Sequence, residues 1–454
     1  MKKKLALLLA MILVVSMLGA CGGAQGGGSA APASSEAQAG EEVKLLIWHY
    51  ADDGTEEAYK EMADAFHADY PNITIEYDVL PYDSGPEKVT IAYATNTPPD
   101  ILIDGYSRIA PAVKAGLTVD IQDVIEANKD AFVAMQIDGK MDNGHFGYLQ
   151  TSLSAAYGVL VNLDIAERCG VLDMLPADNL TWSWDTYLEM LRKVKEADPT
   201  VIPCDLFAGS RSSDAWYYSW FLGNGVPIAN DDHSATGFNV GENRDKAIEV
   251  LELFKTFVDE GLVQEGCATM TDEQADTFFQ SGQMMILHAG WNNTMNTYTN
   301  QQAGTCVPFK YGMYALPSKD GKEPPTTATW GSSGMAGFKA NGHEEAIKTF
   351  FDWYLKHQQY PEKIANIMGS MSSLKEVKYS WPNDDIAKMM AIGTKYTAEK
   401  AISSFGILEP WWTEFRETFY PQMQDFYTGN IDAGQVLDNW QKAADEVIKK
   451  NTAG

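Results

Sequence analysis

Between residues 43 and 77 the chain sets a short apolar run, a helical pattern and a second apolar run one after another, an order that few architectures accept. Val43 to Trp48 reads as a buried strand, closed by the turn residues Ala51, Asp52, Asp53 and Gly54. Tyr59, Met62, Ala63 and Phe66 then recur at helical spacing before Pro71, and Ile73 to Tyr77 alternates as a second strand. A strand, a crossover helix and a strand imply a parallel sheet. A second helix near Gly85 to Ala94 leads through Pro98, Pro99 and Asp100 into Ile101 to Ile103, which ends at Asp104, Gly105 and Tyr106. In open α/β sheets ligands sit beyond the carboxyl ends of strands, so the residues after Trp48 and after Ile103 mark a candidate site.

The α/β pattern persists along the chain, with no internal repeat. Tyr157 to Asn162 reads as a strand, Thr186 to Ala197 and Arg244 to Glu260 as helices, and Met284 to Leu287 as a strand ending at Gly290, Trp291 and Asn292. The remainder after Leu316 and Pro317 is mainly helical.

The first 42 residues stand apart. Lys2, Lys3 and Lys4 precede an apolar run from Leu5 to Leu18, and the small residues Gly19 and Ala20 come before Cys21, the pattern of a secretory signal peptide. The run is shorter than the ~20 residues that cross a bilayer. Leu18, Gly19, Ala20 and Cys21 resemble a lipobox, in which the cysteine is acylated after cleavage, so residues 1–20 are expected to be removed and Cys21 to carry a lipid anchor. Gly, Ala, Ser and Gln dominate residues 21–42, a composition that cannot bury a core and serves as a tether. The remaining chain exceeds what one hydrophobic core usually supports, and two lobes are expected.

A formal net charge of -28 argues against nucleic acid and anionic lipid headgroups as partners. Besides Cys21 the chain has Cys169, Cys204, Cys267 and Cys306, with no CxxC and no Cys/His cluster of zinc-ligand spacing; an exported location permits disulfides, and the sequence does not choose among their pairings. The seven histidines are scattered and Asp231-Asp232 lacks the spaced carboxylates of a calcium loop, so neither a metal nor a cofactor is expected.

The mature chain resembles the family 1 extracellular solute-binding proteins, the group that includes maltose-binding protein. The resemblance is carried, in order, by Lys44 to Trp48 with the Phe66 helix; Pro98 to Ile101 with Ala115 to Leu117; Gly158 to Asn162; Thr181 to Asp185; Phe279 to Gly282 with Gly290 and Trp291; and Leu316 and Pro317 followed by Gly331 and the helix Ala346 to Leu355. It implies an α/β fold of two lobes joined by hinge strands, with ligand held in the cleft between them. The expected lobes are 43–153 with 314–357 and 154–313 with 358–450, and the crossovers fall near Leu153 to Tyr157, near Tyr311 to Ala315 and near His357.

Carried over by position, the resemblance implies ligand contacts from Tyr50 and Asp52 after the first strand, from Asp104, Tyr106 and Arg108 after the third, and from Gln150 at a hinge. Trp291 with Asn292 matches a stacking position, Trp330 lies in the third passage, and Trp411 or Trp412 matches a late aromatic. Adjacent helical residues point about 100° apart, so at most one of those two faces the cleft. The chemistry suits carbohydrate: ring faces stack on sugar C–H groups while Asp, Asn, Gln and Arg read hydroxyls. Arg108 also suits a ligand carboxylate or phosphate. Trp48 reads more simply as core, and Trp182 and Trp184 as a hydrophobic staple at a helix start.

The expectation is therefore a lipid-anchored, extracytoplasmic and monomeric protein, not an enzyme, that captures a sugar or oligosaccharide and passes it to the permease of an ATP-binding-cassette importer. A lipid-anchored glycoside hydrolase, which needs two carboxylates across a cleft, is the alternative from another class, although no GxSxG, HExxH or P-loop pattern is present. A binder of a non-sugar solute is another.

Overall fold

The computed structural model describes residues 42–452 apart from 51–54, 82–83, 134–138, 330–332, 403–405, 408 and 410. Cys21, Asp52 and Trp330 lie outside the described residues. In chain order the strands are β1 (Val43–Tyr50), β2 (Ile73–Leu80), β3 (Ile101–Gly105), β4 (Leu149–Gln150), β5 (Ser152–Leu153), β6 (Tyr157–Asn162), β7 (Ile202–Cys204), β8 (Met284–Gly290), β9 (Tyr311–Ala315), β10 (Thr327–Ala328), β11 (Ser333–Gly337), β12 (Met371–Ser372) and β13 (Ala401–Ile402).

They form two principal sheets, one per lobe. The first has the order β2-β1-β3-β11-β4, with β1 parallel to β2 and β3 as the crossover pattern requires, and with β11 antiparallel to both β3 and β4. Apolar side chains cover both of its faces. Ala58, Tyr59, Met62, Ala63 and Phe66 turn the helix Glu56–Asp69 inward, and Tyr59, Met62 and Phe66 share a core with Ile347 and Phe350 of the helix Glu344–Lys356. Val89, Ile109 and Val113 of the helices Gly85–Thr95 and Tyr106–Lys114 pack against the other face. The second sheet has the order β7-β8-β6-β9, with β7 parallel to β8 and β6 antiparallel to its two neighbours.

Two-residue strands link the lobes. β4 closes the first sheet, β5 pairs with β12, and β6 opens the second sheet after residue 156. Serine and threonine stitch this passage: Ser373 N–H donates to Thr151 O at 3.1 Å, Ser373 Oγ to Gln150 O at 2.8 Å, and Ser333 N–H to Ser152 Oγ at 3.0 Å.

The other two passages differ from the sequence-based boundaries. Tyr311–Ala315 does not cross; it completes the second sheet beside β6, and Trp182 and Trp184 donate indole N–H groups to Ala315 O at 2.8 Å and Pro317 O at 3.0 Å, pinning the following segment to the second lobe. Leu316 and Ala328 accordingly pack in that lobe's core, and the chain re-enters the first sheet at Ser333. Nor does the chain leave the first lobe at His357: Ala365, Leu374 and Val377 still pack there, Met371 of β12 touches the second lobe's core on the way, and the chain passes into that core from Trp381 and Ile386 onward. Both Trp182 and Trp184 are core residues, and Ser183 between them caps the helix Trp184–Ala197 by accepting from Thr186 N–H.

The four cysteines in the described residues are free thiols. No described helix is long and apolar enough to cross a membrane, and no described cluster of three His, Cys, Asp or Glu could hold a metal.

Candidate functional site

All strand ends that matter point one way. In the first sheet the C-terminal ends of β1, β3 and β4 lie beside the start of β11, with Gly105 opposite Ser333 and Gln150 opposite Gly334. In the second, Tyr157 at the start of β6 faces Gly290 at the end of β8, and β7 ends alongside. Since residues 151–156 join these two ends, each lobe turns its strand termini toward the passage between them.

The first lobe builds a polar centre there. β3 ends at Asp104 and a helix begins at once at Tyr106, so Arg108 lies one turn on and reaches back. Its Nε–H is 2.9 Å from Asp104 Oδ1 and 2.8 Å from Oδ2, and Nη2 also donates to Oδ1. Asp104 is buried while Arg108 is 43% exposed, which makes a charge-neutral pair with its cationic edge toward solvent. The guanidinium lies 5.1 Å from the Tyr50 ring centre. Burial and the Asp104 charge push the Tyr50 phenol up to about 12, with Arg108 opposing, so its hydroxyl keeps its proton. Tyr50, Asp104 and Arg108 line a cavity of about 210 Å³ together with His49 and the hinge residues Thr151, Ser152, Ser333 and Ser372. These side chains offer donors, acceptors and aromatic edges, a set that suits a neutral polar solute.

The remaining expected contacts are elsewhere. Tyr106 is buried with its ring 4.6 Å from Tyr148, whose hydroxyl approaches Asp104 O at 3.5 Å, so it supports the strand end from beneath. Gln150 is buried in the hinge and donates to Ser152 O at 3.1 Å. Trp291, expected to stack on ligand, is instead wholly buried: its indole N–H donates to Met389 O at 2.7 Å, and its ring lies so close over Gly393 that a Cβ there would be 2.0 Å away. The turn at Gly290 folds the indole under the sheet, where burying 150–250 Å² of ring gains several kcal/mol. Trp411 and Trp412 are also core, packed on Phe415 at 5.0 and 5.6 Å, so neither presents its ring to a cleft. Asn292 is exposed and precedes the helix Asn293–Ala303.

Sequence reading passed over the second lobe's own face. Trp216, half-buried in the helix Ser213–Gly223, stands edge-on to Tyr157 at 4.5 Å and to Phe207 at 6.3 Å. In that helix Tyr217, Tyr218, Trp220 and Phe221 are all buried, and the sequence held no signal that singles out Trp216: the helix is apolar all round, and Trp216 lies four residues from buried Trp220, on the same side. Next to it Arg416 donates to buried Asp214, Nε–H at 2.6 Å and Nη2 at 3.0 Å, repeating the carboxylate-held arginine of the first lobe.

Two more features lie between the lobes. Lys114 of the first lobe meets Glu409 of the second at 2.8 Å, and Glu409 also faces His233 Nδ1 at 3.2 Å; the His233 hydrogen bond and Lys114 hold the Glu409 carboxyl below its ordinary range against the effect of burial. A cavity of about 450 Å³ is lined by Asp276, Asn296 and Asn300 on one side and Ile367 and Met368 on the other. Burial, then the charges of Asp205, Asp272 and Glu273, push the Asp276 carboxyl up to about 7.

Comparison with known proteins follows this geometry. A family model described as bacterial extracellular solute-binding protein matches residues 52–361. A binding protein of Brucella abortus (strain 2308) is 25% identical over 424 residues, covering 92% of this chain and 95% of its own. Among solved structures, the cyclic alpha-maltosyl-1,6-maltose binding protein from Arthrobacter globiformis is similar at a TM-score of 0.74 with 18% identity, covering 90% of this chain and 100% of that one. The sugar-binding protein from the phytopathogen Xanthomonas citri is similar at a TM-score of 0.69 with 16% identity, covering 90% and 98%.

Proposed function

The chain belongs to the bacterial extracellular solute-binding proteins, and from that membership we propose that it captures a sugar or oligosaccharide between its lobes and delivers it to the permease of an ATP-binding-cassette importer. The observation that carries this reading is the cavity at the ends of β1 and β3, where Tyr50, Asp104 and Arg108 gather with the hinge serines. Ligand bridging this face and the Tyr157–Trp216 face would favour the closed arrangement of the lobes, and the permease would select that arrangement. The Asp104–Arg108 pair supports a neutral solute, since the buried carboxylate already offsets the guanidinium charge that would draw an anion. Attachment to the outer face of the cell membrane through acylated Cys21, after removal of residues 1–20, completes the proposal and rests on the sequence alone.

Isothermal titration calorimetry with maltose, maltotetraose and raffinose tests the capture step. Saturable binding of at least one, with the sugar recovered uncleaved, is the expected result. Absence of heat with all three overturns the sugar assignment and leaves the fold untouched; cleavage products would favour a hydrolase.

A further inference from the structure

The second lobe holds a polar niche that the capture reading does not use. Asp205 follows the end of β7 and is wholly buried, and His288 lies near the end of β8. Asp205 Oδ1 takes two donors from the same residue, the His288 backbone N–H at 2.7 Å and the ring Nδ1–H at 2.8 Å. This leaves Asp205 Oδ2 and His288 Nε2 buried with no hydrogen-bond partner, and Trp216 Nε1–H is in the same condition. All three side chains line one cavity of about 10 Å³, walled by Phe207, Tyr217 and Trp220. Native structures seldom leave buried polar groups unpaired, and three around a single space the size of one oxygen atom define a point of recognition.

The position ties the niche to the cleft. β7 and β8 point their C-terminal ends toward the start of β6, and the half-buried Trp216 ring stands 4.5 Å from Tyr157, the first residue of that strand. The niche is thus one ring removed from the passage between the lobes.

Donor and acceptor arithmetic selects what enters. Trp216 can only donate, while Asp205 Oδ2, as carboxylate, and His288 Nε2, opposite the Nδ1–H that bonds Asp205, can only accept. A hydroxyl accepts from the indole and donates its one proton to either acceptor. An ammonium group cannot accept from the indole, and a carboxylate or phosphate oxygen cannot donate to Asp205 and would face its charge. We infer that Asp205, His288 and Trp216 form a specificity site that reads a single hydroxyl of the captured solute and rejects anionic groups at that point. The inference rests on the sugar-capture reading and assigns it a determinant in the lobe opposite Tyr50 and Arg108.

The test uses the full chain, the tightest binder among maltose, maltotetraose and raffinose, and the monodeoxy analogues of that sugar. Asp205→Asn keeps an acceptor for His288 and replaces Oδ2 by a donor; Trp216→Phe removes the indole N–H and keeps a ring. Trp216→Phe should weaken binding about tenfold, the scale of one neutral hydrogen bond, and Asp205→Asn by roughly ten- to a hundredfold, the scale of one hydrogen bond to a charged partner. One monodeoxy analogue should bind the wild type about tenfold more weakly than its parent, and Asp205→Asn should no longer separate the two. If Asp205→Asn fails to fold, Trp216→Phe, at a half-buried position, carries the comparison. Wild-type affinity in both variants overturns the niche alone, as does unchanged discrimination among analogues, which would mean that a fixed water fills it. No binding by the wild type overturns the niche and the sugar reading together.

Discussion

Asp276 sits in the cavity between the lobes with its carboxyl pushed up to about 7, chiefly by burial. Between its unfolded value near 4 and 7 the folded chain keeps the proton that the unfolded chain releases, so this residue lowers stability as pH rises through that window and adds nothing further above it. The cost grows by about 1.4 kcal/mol per pH unit across the window. Asp276→Asn should therefore melt close to wild type at pH 4 and progressively higher than wild type up to about pH 7, levelling off from there to pH 8, as read by differential scanning calorimetry; a constant offset from pH 4 to 8 would contradict the assignment. At single residues the sequence carried position better than exposure. That Tyr50, Asp104 and Arg108 gather at one cavity was legible because a strand end fixes where a side chain goes. Trp291, Trp411 and Trp412 were not, because a ring in a core and a ring on a cleft are the same residue in sequence, and only the seat at Gly393 or the packing on Phe415 tells them apart. Asp205 and His288 gave no signal: they lie 83 residues apart, and their pairing exists only once β7 and β8 align.

Elements were more legible than residues, since burial periodicity reports them directly. The strands β1, β2, β3, β6 and β8 and the helices between them follow from the apolar runs. What periodicity could not supply was sheet membership: β9 has the apolar content of a crossover strand and of a sheet edge alike, and the indole bonds of Trp182 and Trp184 decide for the edge. β6 lies inside the second sheet, and at Gly158 a Cβ would stand 2.2 Å from Tyr314 O of β9. Gly158→Ala must force these strands apart and should cost roughly 3 kcal/mol or more, seen as a lowered urea midpoint. An unchanged midpoint would mean that β9 pairs less closely than described.

For the molecule as a whole, Lys114 and Glu409 form an ion pair between the lobes whose carboxylate also engages His233. A partly exposed pair of this kind contributes up to about 1 kcal/mol, enough to bias two lobes that differ little in free energy between open and closed. Lys114→Met should enlarge the ligand-free radius of gyration in small-angle X-ray scattering and weaken sugar binding about two- to fivefold. Scattering curves that superimpose would remove the pair from that role. The two-lobed plan itself was foreseeable from length and from the family resemblance, while the routes of the second and third passages depended on contacts far apart in sequence. The order β2-β1-β3-β11-β4 bears also on the timing of synthesis. β3 and β4 are made early, yet the strand that joins them comes from residues 333–337, so a nascent chain extruded from its N-terminus holds an unfinished first sheet with an unfilled slot until most of its length has emerged. Such a chain stays pliable until most of it has been made, and the arrival of one five-residue strand then completes the sheet.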